Sequence, residues 1–226
     1  MKRTAYPIIA LLVLLVGLPA SAQHRVGIVG GLNFAEFNVA HKAPSTDYST
    51  KTVFGVGGVV DLRLSENFSL RLAPMYVQKG ARVKDIDDGI EFPFKSSFLE
   101  LPVFLKAELG RTVRPYIMVG PTVGYLLNSN VEGDLSGVTF KGDLKDVTES
   151  IDFGFGFGAG VSYALGTASI FLEGRYSLGL SNMQKGGTFK LVAGPVAEEI
   201  TWDKEEDKYK NRGFQIMAGV TFPLGK

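Results

Sequence analysis

The chain has 226 residues with a formal net charge of +1, a balance that gives nucleic acid no overall field to respond to. It contains no cysteine, which excludes disulfides, thiolate catalysis and cysteine metal sites. Its 28 glycines and 16 phenylalanines accompany strand formers separated by turn signals along the whole length, the pattern of a single all-β domain.

The N-terminus comes first. Lys2 and Arg3 precede an apolar core from Ile8 to Leu18, and Ala20, Ser21 and Ala22 supply small residues for cleavage. This predicts a signal peptide over 1–22, with the mature domain covering 23–226. The apolar stretch is about 11 residues, short of the roughly 20 that span a bilayer as a helix. No later apolar run reaches that length, so membrane insertion must use strands.

Eight strands are predicted. The first, 25–37, puts Val26, Ile28, Leu32 and Phe34 on one face; the second, 52–64, does the same with Phe54, Val56, Val60 and Leu62. The third, 68–79, shows Phe68, Leu70, Leu72 and Tyr76, and the fourth, 97–109, shows Leu99, Leu101, Val103 and Leu105. The fifth, 114–127, alternates Ile117, Val119, Val123 and Tyr125 with an uncharged face of Tyr116, Met118, Gly120, Thr122 and Gly124. The sixth, 152–163, is the most informative: Phe153, Phe155, Phe157, Ala159, Val161 and Tyr163 share one face, while Gly154, Gly156, Gly158 and Gly160 share the other. The seventh, 168–180, and the eighth, 212–222, again alternate, with Ile170, Leu172 and Tyr176, then Phe214, Ile216 and Phe222.

A glycine row makes a poor water-facing surface, but it suits the crowded inside of a narrow barrel whose aromatic row meets lipid. Short turns at 65–67, 110–113 and 165–167 alternate with long polar segments at 38–51, 80–96, 128–151 and 181–211. That alternation belongs to outer-membrane barrels. Aromatics fall near both strand ends: Tyr76, Tyr125, Phe153 and Phe214 towards the long segments, Phe68, Tyr163 and Phe222 towards the turns. The fold class is therefore an eight-stranded antiparallel up-and-down transmembrane β-barrel. It is expected in the outer membrane of a Gram-negative bacterium, with both termini periplasmic and the long loops extracellular. Pro74, Pro102, Pro115 and Pro121 fall inside these strands, where bulges or strand ends are expected.

Strand charges fall mainly on the inner face: Asp61, Arg63, Arg71, Glu100, Lys106, Glu108, Glu173 and Arg175. A turn centred on Glu66 sets Asp61 opposite Arg71, and the turn at Gly166 sets Gly158 and Gly160 beside Arg175 and Glu173. In so narrow a lumen these opposite charges are expected to form a salt-bridge plug. The expected role is structural or an interaction carried by the outer loops. The alternatives are a narrow conduit for small solutes or protons and a soluble lipocalin-like binding barrel.

Enzymatic chemistry has little support. His41 shares the first long segment with Ser45, Asp47, Tyr48 and Ser49, residues that a nucleophilic lipid-modifying enzyme would need to converge. Asp85, Asp87 and Asp88 have the wrong spacing for a calcium loop, and Ser96 stands where its Glu belongs. Glu198, Glu199, Asp203, Glu205, Glu206 and Asp207 crown the last long segment among Lys204, Lys208, Lys210 and Arg212, a hydrated tip or a divalent-cation bridge to lipopolysaccharide. Trp202, the only tryptophan, sits there as a candidate partner contact. No catalytic residue, cofactor or metal is expected. The expected partners are outer-membrane lipid and lipopolysaccharide, the barrel-assembly machinery during biogenesis, and a secretion-system or surface protein.

Gly27-Ile-Val-Gly-Gly-Leu-Asn-Phe34, Phe98-Leu-Glu-Leu-Pro-Val-Phe-Leu-Lys106, Arg114-Pro-Tyr-Ile-Met-Val-Gly-Pro121 and Glu173-Gly-Arg-Tyr-Ser-Leu-Gly-Leu-Ser-Asn182 resemble the PorT-like outer-membrane β-barrel domain family. The resemblance covers essentially the whole mature chain. It implies an OmpA/OmpX-like barrel, accounts for Pro102 after the Leu-Glu-apolar step, and suggests service to a protein secretion system. It carries over no catalytic or ligand residues. One departure is Pro223-Leu-Gly-Lys226 after Phe222, where such barrels often end on the aromatic.

Overall fold

A computed structural model describes residues 24–39, 46–86, 91–135, 138–202 and 208–224. The signal segment lies outside them, as do His41, Ser45, Asp87, Asp88, Lys204 and the acidic residues Asp203, Glu205, Glu206 and Asp207. Among the described residues there are thirteen strands: β1 (His24–Val39), β2 (Thr46–Ser49), β3 (Lys51–Arg63), β4 (Phe68–Leu72), β5 (Met75–Asp85), β6 (Glu91–Glu108), β7 (Val113–Leu135), β8 (Val138–Asp143), β9 (Ile151–Leu165), β10 (Ala168–Gly179), β11 (Gly187–Ala193), β12 (Val196–Trp202) and β13 (Tyr209–Leu224). A 3-10 turn spans Lys145–Val147.

The antiparallel pairings close on themselves. β1 pairs with β3, β3 with β4 and β5, both of these with β6, and β6 with β7. β7 then pairs with β9, β9 with β10, β10 with β13, and β13 with β1. Closure leaves the ring strands no open edge, so their ladder satisfies the backbone without water, as hydrocarbon requires. The eight predicted segments reappear as β1, β3, β4 with β5, β6, β7, β9, β10 and β13. The short turns, the start of β1 and the end of β13 gather at one end, where His24 lies opposite Leu224. The other end rises further, and the segments read as loops there carry regular structure. β2 extends β5, while β8, β11 and β12 build outward from β7.

Of the four strand prolines, only Pro74 marks a break. Between β4 and β5, Gly58 donates its N–H to the Pro74 carbonyl (2.9 Å) and Ala73 to that of Pro102 (3.1 Å). Pro102, Pro115 and Pro121 sit in unbroken strands opposite Thr122, Val161 and Phe155. An N–H in a strand points to one neighbour only, so each proline removes one ladder bond and the register continues on both sides. The expected bulges at those three sites are absent.

The outer face of the ring is apolar: Ile28 and Ile117 are 67% and 66% exposed, and Phe153, Phe155, Phe157, Val161 and Tyr163 are exposed along β9. The inner face explains the glycines. A Cβ on Gly156 would stand 2.9 Å from the Phe104 ring, and one on Gly160 would stand 2.6 Å from the ring of Tyr116 and 2.7 Å from Glu173 Cβ. The glycine row is the space into which larger side chains from neighbouring staves are folded.

Candidate functional site

The lumen is filled by layers set by the inward parity of each strand. In the half nearest the short turns, the Arg71 guanidinium on β4 is clamped from two sides. Nε and Nη2 donate to Asp61 at 2.6 and 2.8 Å, and Nη1 donates to Glu173 on β10 at 2.6 Å. Arg175 Nε donates to the other oxygen of Glu173 (2.6 Å), and the Tyr116 hydroxyl also donates to Glu173. Lys106 lies 3.5 Å from Asp61 and reaches Glu108, which Arg114 contacts at 3.1 Å. Arg71 sits 4.8 Å from the Phe171 ring centroid and Lys106 sits 4.2 Å from that of Tyr116. Val29, Val59, Met75, Phe104, Met118, Phe171 and Met217 pack the remaining space.

A second group lies nearer the long end. Lys79 on β5 pairs with Glu100 on β6 and, at 3.0 Å, with Asp152 on β9, which also accepts from Asn211 on β13 (2.9 Å). Val77, Phe98, Leu126 and Met183 form an apolar layer at this level. Ions this deeply buried persist only with such partners, since an unpaired charge in low dielectric is very costly.

Asp61, Arg71, Lys106, Glu173 and Arg175 therefore come together, with Glu108 at the half-open margin and Glu100 in the second group. Arg63 does not join them. It is exposed at the turn, where its guanidinium donates to the carbonyls of Ser65 (3.1 Å) and Glu66 (2.8 Å). It sits too near the strand end to be turned into the lumen. Sequence reasoning missed Lys79, Asp152 and Tyr116 as members. Lys79 shares the inward parity of Arg71, and Asp152 that of the glycine row, so the signal was parity alone.

Above the lumen, the polarity reverses. Val131, Phe140, Leu144, Val147 and Phe189 form a core inside the β7, β8 and β11 extension, while Glu132 and Lys141 pair on its outside at 2.7 Å. Trp202 turns inward, with ring centroids 4.8 Å from Phe189 and 6.0 Å from Phe94. It helps wall a cup of about 160 Å³ with Phe37, Val83, Phe94, Gln184 and Tyr209. Lys51 donates to the Phe94 carbonyl (3.3 Å); burial, reinforced by Lys95 and Arg82, lowers its pKa from 10.5 to about 8. Asp47, Tyr48 and Ser49 lie on β2, and Glu198 and Glu199 are exposed on β12. Among the described residues no group of three or more His, Asp or Glu side chains is placed to hold a metal ion.

A family model described as "Outer membrane protein beta-barrel domain" matches residues 20–185. No curated protein matches the sequence. Among solved structures, the chain is similar to the outer membrane protein OprG from Pseudomonas aeruginosa, at 11% identity and a TM-score of 0.53, covering 91% of this chain and 97% of that one. It is also similar to Neisserial surface protein A (15% identity, TM-score 0.47, covering 88% and 97%). A third is the outer membrane protease OmpT from Escherichia coli (12% identity, TM-score 0.44, covering 92% and 98%). The likeness to OprG is one of fold.

Proposed function

The chain belongs to the outer membrane protein β-barrel domain family and is a barrel of the Gram-negative outer membrane; we propose that it is a sealed one, whose long end serves as an interaction surface outside the cell. The observation that carries this is the occupied lumen. Arg71 bridges Asp61 and Glu173 across the barrel, and Lys79 bridges Glu100 and Asp152 at a second level. A barrel this narrow has room for side chains and little more, so the ion pairs and the apolar layers around them act as a plug. The short turns and the ends of β1 and β13 face the periplasm in this reading, and β2, β8, β11 and β12 face outward, as outer-membrane barrels distribute short and long connections. The resemblance to PorT-like barrels supports service to a secretion assembly as the partner role.

The full chain in a planar bilayer tests the seal. The expected result is no stepwise current across the usual voltage range. A steady ohmic conductance would replace the plug with a conduit. Neutralising Glu100 or Glu173 would then change that conductance, since both line the only axial route among the described residues.

A further inference from the structure

The cup at the long end is built almost wholly of rings. Tyr209 and Phe37 stack at 4.5 Å between centroids, Phe37 meets Phe94 at 6.0 Å, and Phe94 meets Trp202 at 6.0 Å. No charged side chain lines it among the described residues. Its volume of about 160 Å³ is close to that of apolar cavities that accept a benzene-sized molecule, about 150 Å³. Three polar groups interrupt the apolar wall: the hydroxyls of Tyr48 and Tyr209 and the side-chain amide of Gln184. Gln184 is 1% exposed, its backbone is held by Asn182 and by a bridge to Thr148, and its side-chain Nε2 has no hydrogen-bond partner. The Tyr209 hydroxyl is engaged with Thr148 and Tyr48 also has a partner, whereas the Gln184 amide is a buried donor in the wall without one. A buried donor left unpaired is costly and rare in a folded protein.

We propose that this cup binds a small neutral aromatic molecule bearing one hydrogen-bond acceptor, such as an aryl ketone or aldehyde. The rings enclose its apolar body, and the Gln184 side chain, buried in the wall of the cup, turns so that Nε2 donates to its carbonyl oxygen. The proposal rests on the sealed-barrel reading, because the layer of Val77, Phe98, Leu126 and Met183 supplies a floor below the cup.

Trp202 is the chain's only tryptophan and lies in the wall, so its emission reports occupancy directly. The full chain, folded in detergent, is titrated with acetophenone and with ethylbenzene, which has a similar shape and no acceptor. Saturable acetophenone binding is expected, about tenfold tighter than ethylbenzene, the worth of one well-made hydrogen bond. Gln184→Leu should erase that preference, and Val83→Phe should abolish saturation by filling the cup. Heat-modifiability on gels confirms that each variant is folded. A linear response identical in the parent and Val83→Phe would be partition into detergent and would overturn the proposal. Saturable binding indifferent to Gln184→Leu would overturn the acceptor assignment. Conductance recorded on the same preparation separates the two ideas: current with saturable binding removes the seal and keeps the cup, and silence without saturation removes the cup alone.

Discussion

β7 runs through two environments, and its two halves obey opposite rules. Along 116–126 it turns Tyr116, Met118, Thr122 and Leu126 into the lumen and exposes Ile117, Val119 and Tyr125. Along 129–132 it buries Ser129 and Val131 and exposes Glu132. The inward positions are even-numbered in the first half and odd-numbered in the second. The switch lies where Phe98 is opposite Leu126 and Ser97 is opposite Asn128, leaving Leu127 as the extra residue of a bulge. Below the bulge the outside solvent is hydrocarbon and the inside is ionic; above it the outside is water and the inside is apolar. A strand built to the same backbone plan thus reverses its chemistry within a few residues, as a barrel strand passing from lipid into water would.

Breaking the ionic half should have the largest effect. Arg71→Met leaves Asp61 and Glu173 buried without their shared cation, and about 3–5 kcal/mol of stability should be lost. This would be read as a lowered midpoint for the gel shift on heating. Lys141→Met breaks an exposed pair outside the extension and should leave that midpoint where it was. Next comes a single change placed on either side of the reversal. Val119→Arg, on the lipid-facing side of β7, should cost about 2–4 kcal/mol. Val196→Arg, exposed on β12, should stay within about 0.5 kcal/mol. Urea unfolding in lipid vesicles compares the two, and equal losses would erase the boundary. Packing around the glycine row gives a smaller effect: Gly160→Ala puts a Cβ 2.7 Å from the Leu172 carbonyl oxygen and close to Tyr116, costing about 1–3 kcal/mol. Gly58→Ala, whose Cβ would meet nothing nearer than 3.8 Å, should be silent in the same assay.

The smallest effect is a pH dependence confined to the water-facing half. Lys51 has its pKa lowered to about 8 on folding, so the folded state disfavours its charged form. Its penalty is fully present below pH 8 and is relieved as pH rises from about 8 to 10.5. Lys51→Met should flatten that rise in the unfolding midpoint.

The parity of the ring strands was legible because each must bury one face and show lipid the other. The Asp61–Arg71 pairing followed from the short turn at Glu66, and the Glu173–Gly160 register followed from the turn at Gly166. Local turn geometry fixes such neighbours. The Lys79–Asp152 contact was not legible, since β5 and β9 meet only across the closed lumen. Nor were β8, β11 and β12, whose apolar residues are sparse between glycines and charges and therefore read as loop. The bulge at Leu127 hid the rest: once parity slips, alternation counted from below assigns Val131 to the wrong side. Arg63 failed for the simplest reason, as the strand ends under it.

All sixteen residues of β1 find their partners on β13, from His24 with Leu224 to Val39 with Tyr209. The first ring strand to be synthesised therefore waits for the last. Until β13 arrives, β1 and β10 each carry a full row of unpaired backbone groups, and those rows are able to template aggregation. The partners are separated by up to about two hundred residues, so the closing contacts have the highest sequence separation the chain allows and are kinetically late. A chain truncated before β13 would yield an open sheet rather than a smaller barrel. The β1–β13 ladder is the seam on which closure of the ring depends.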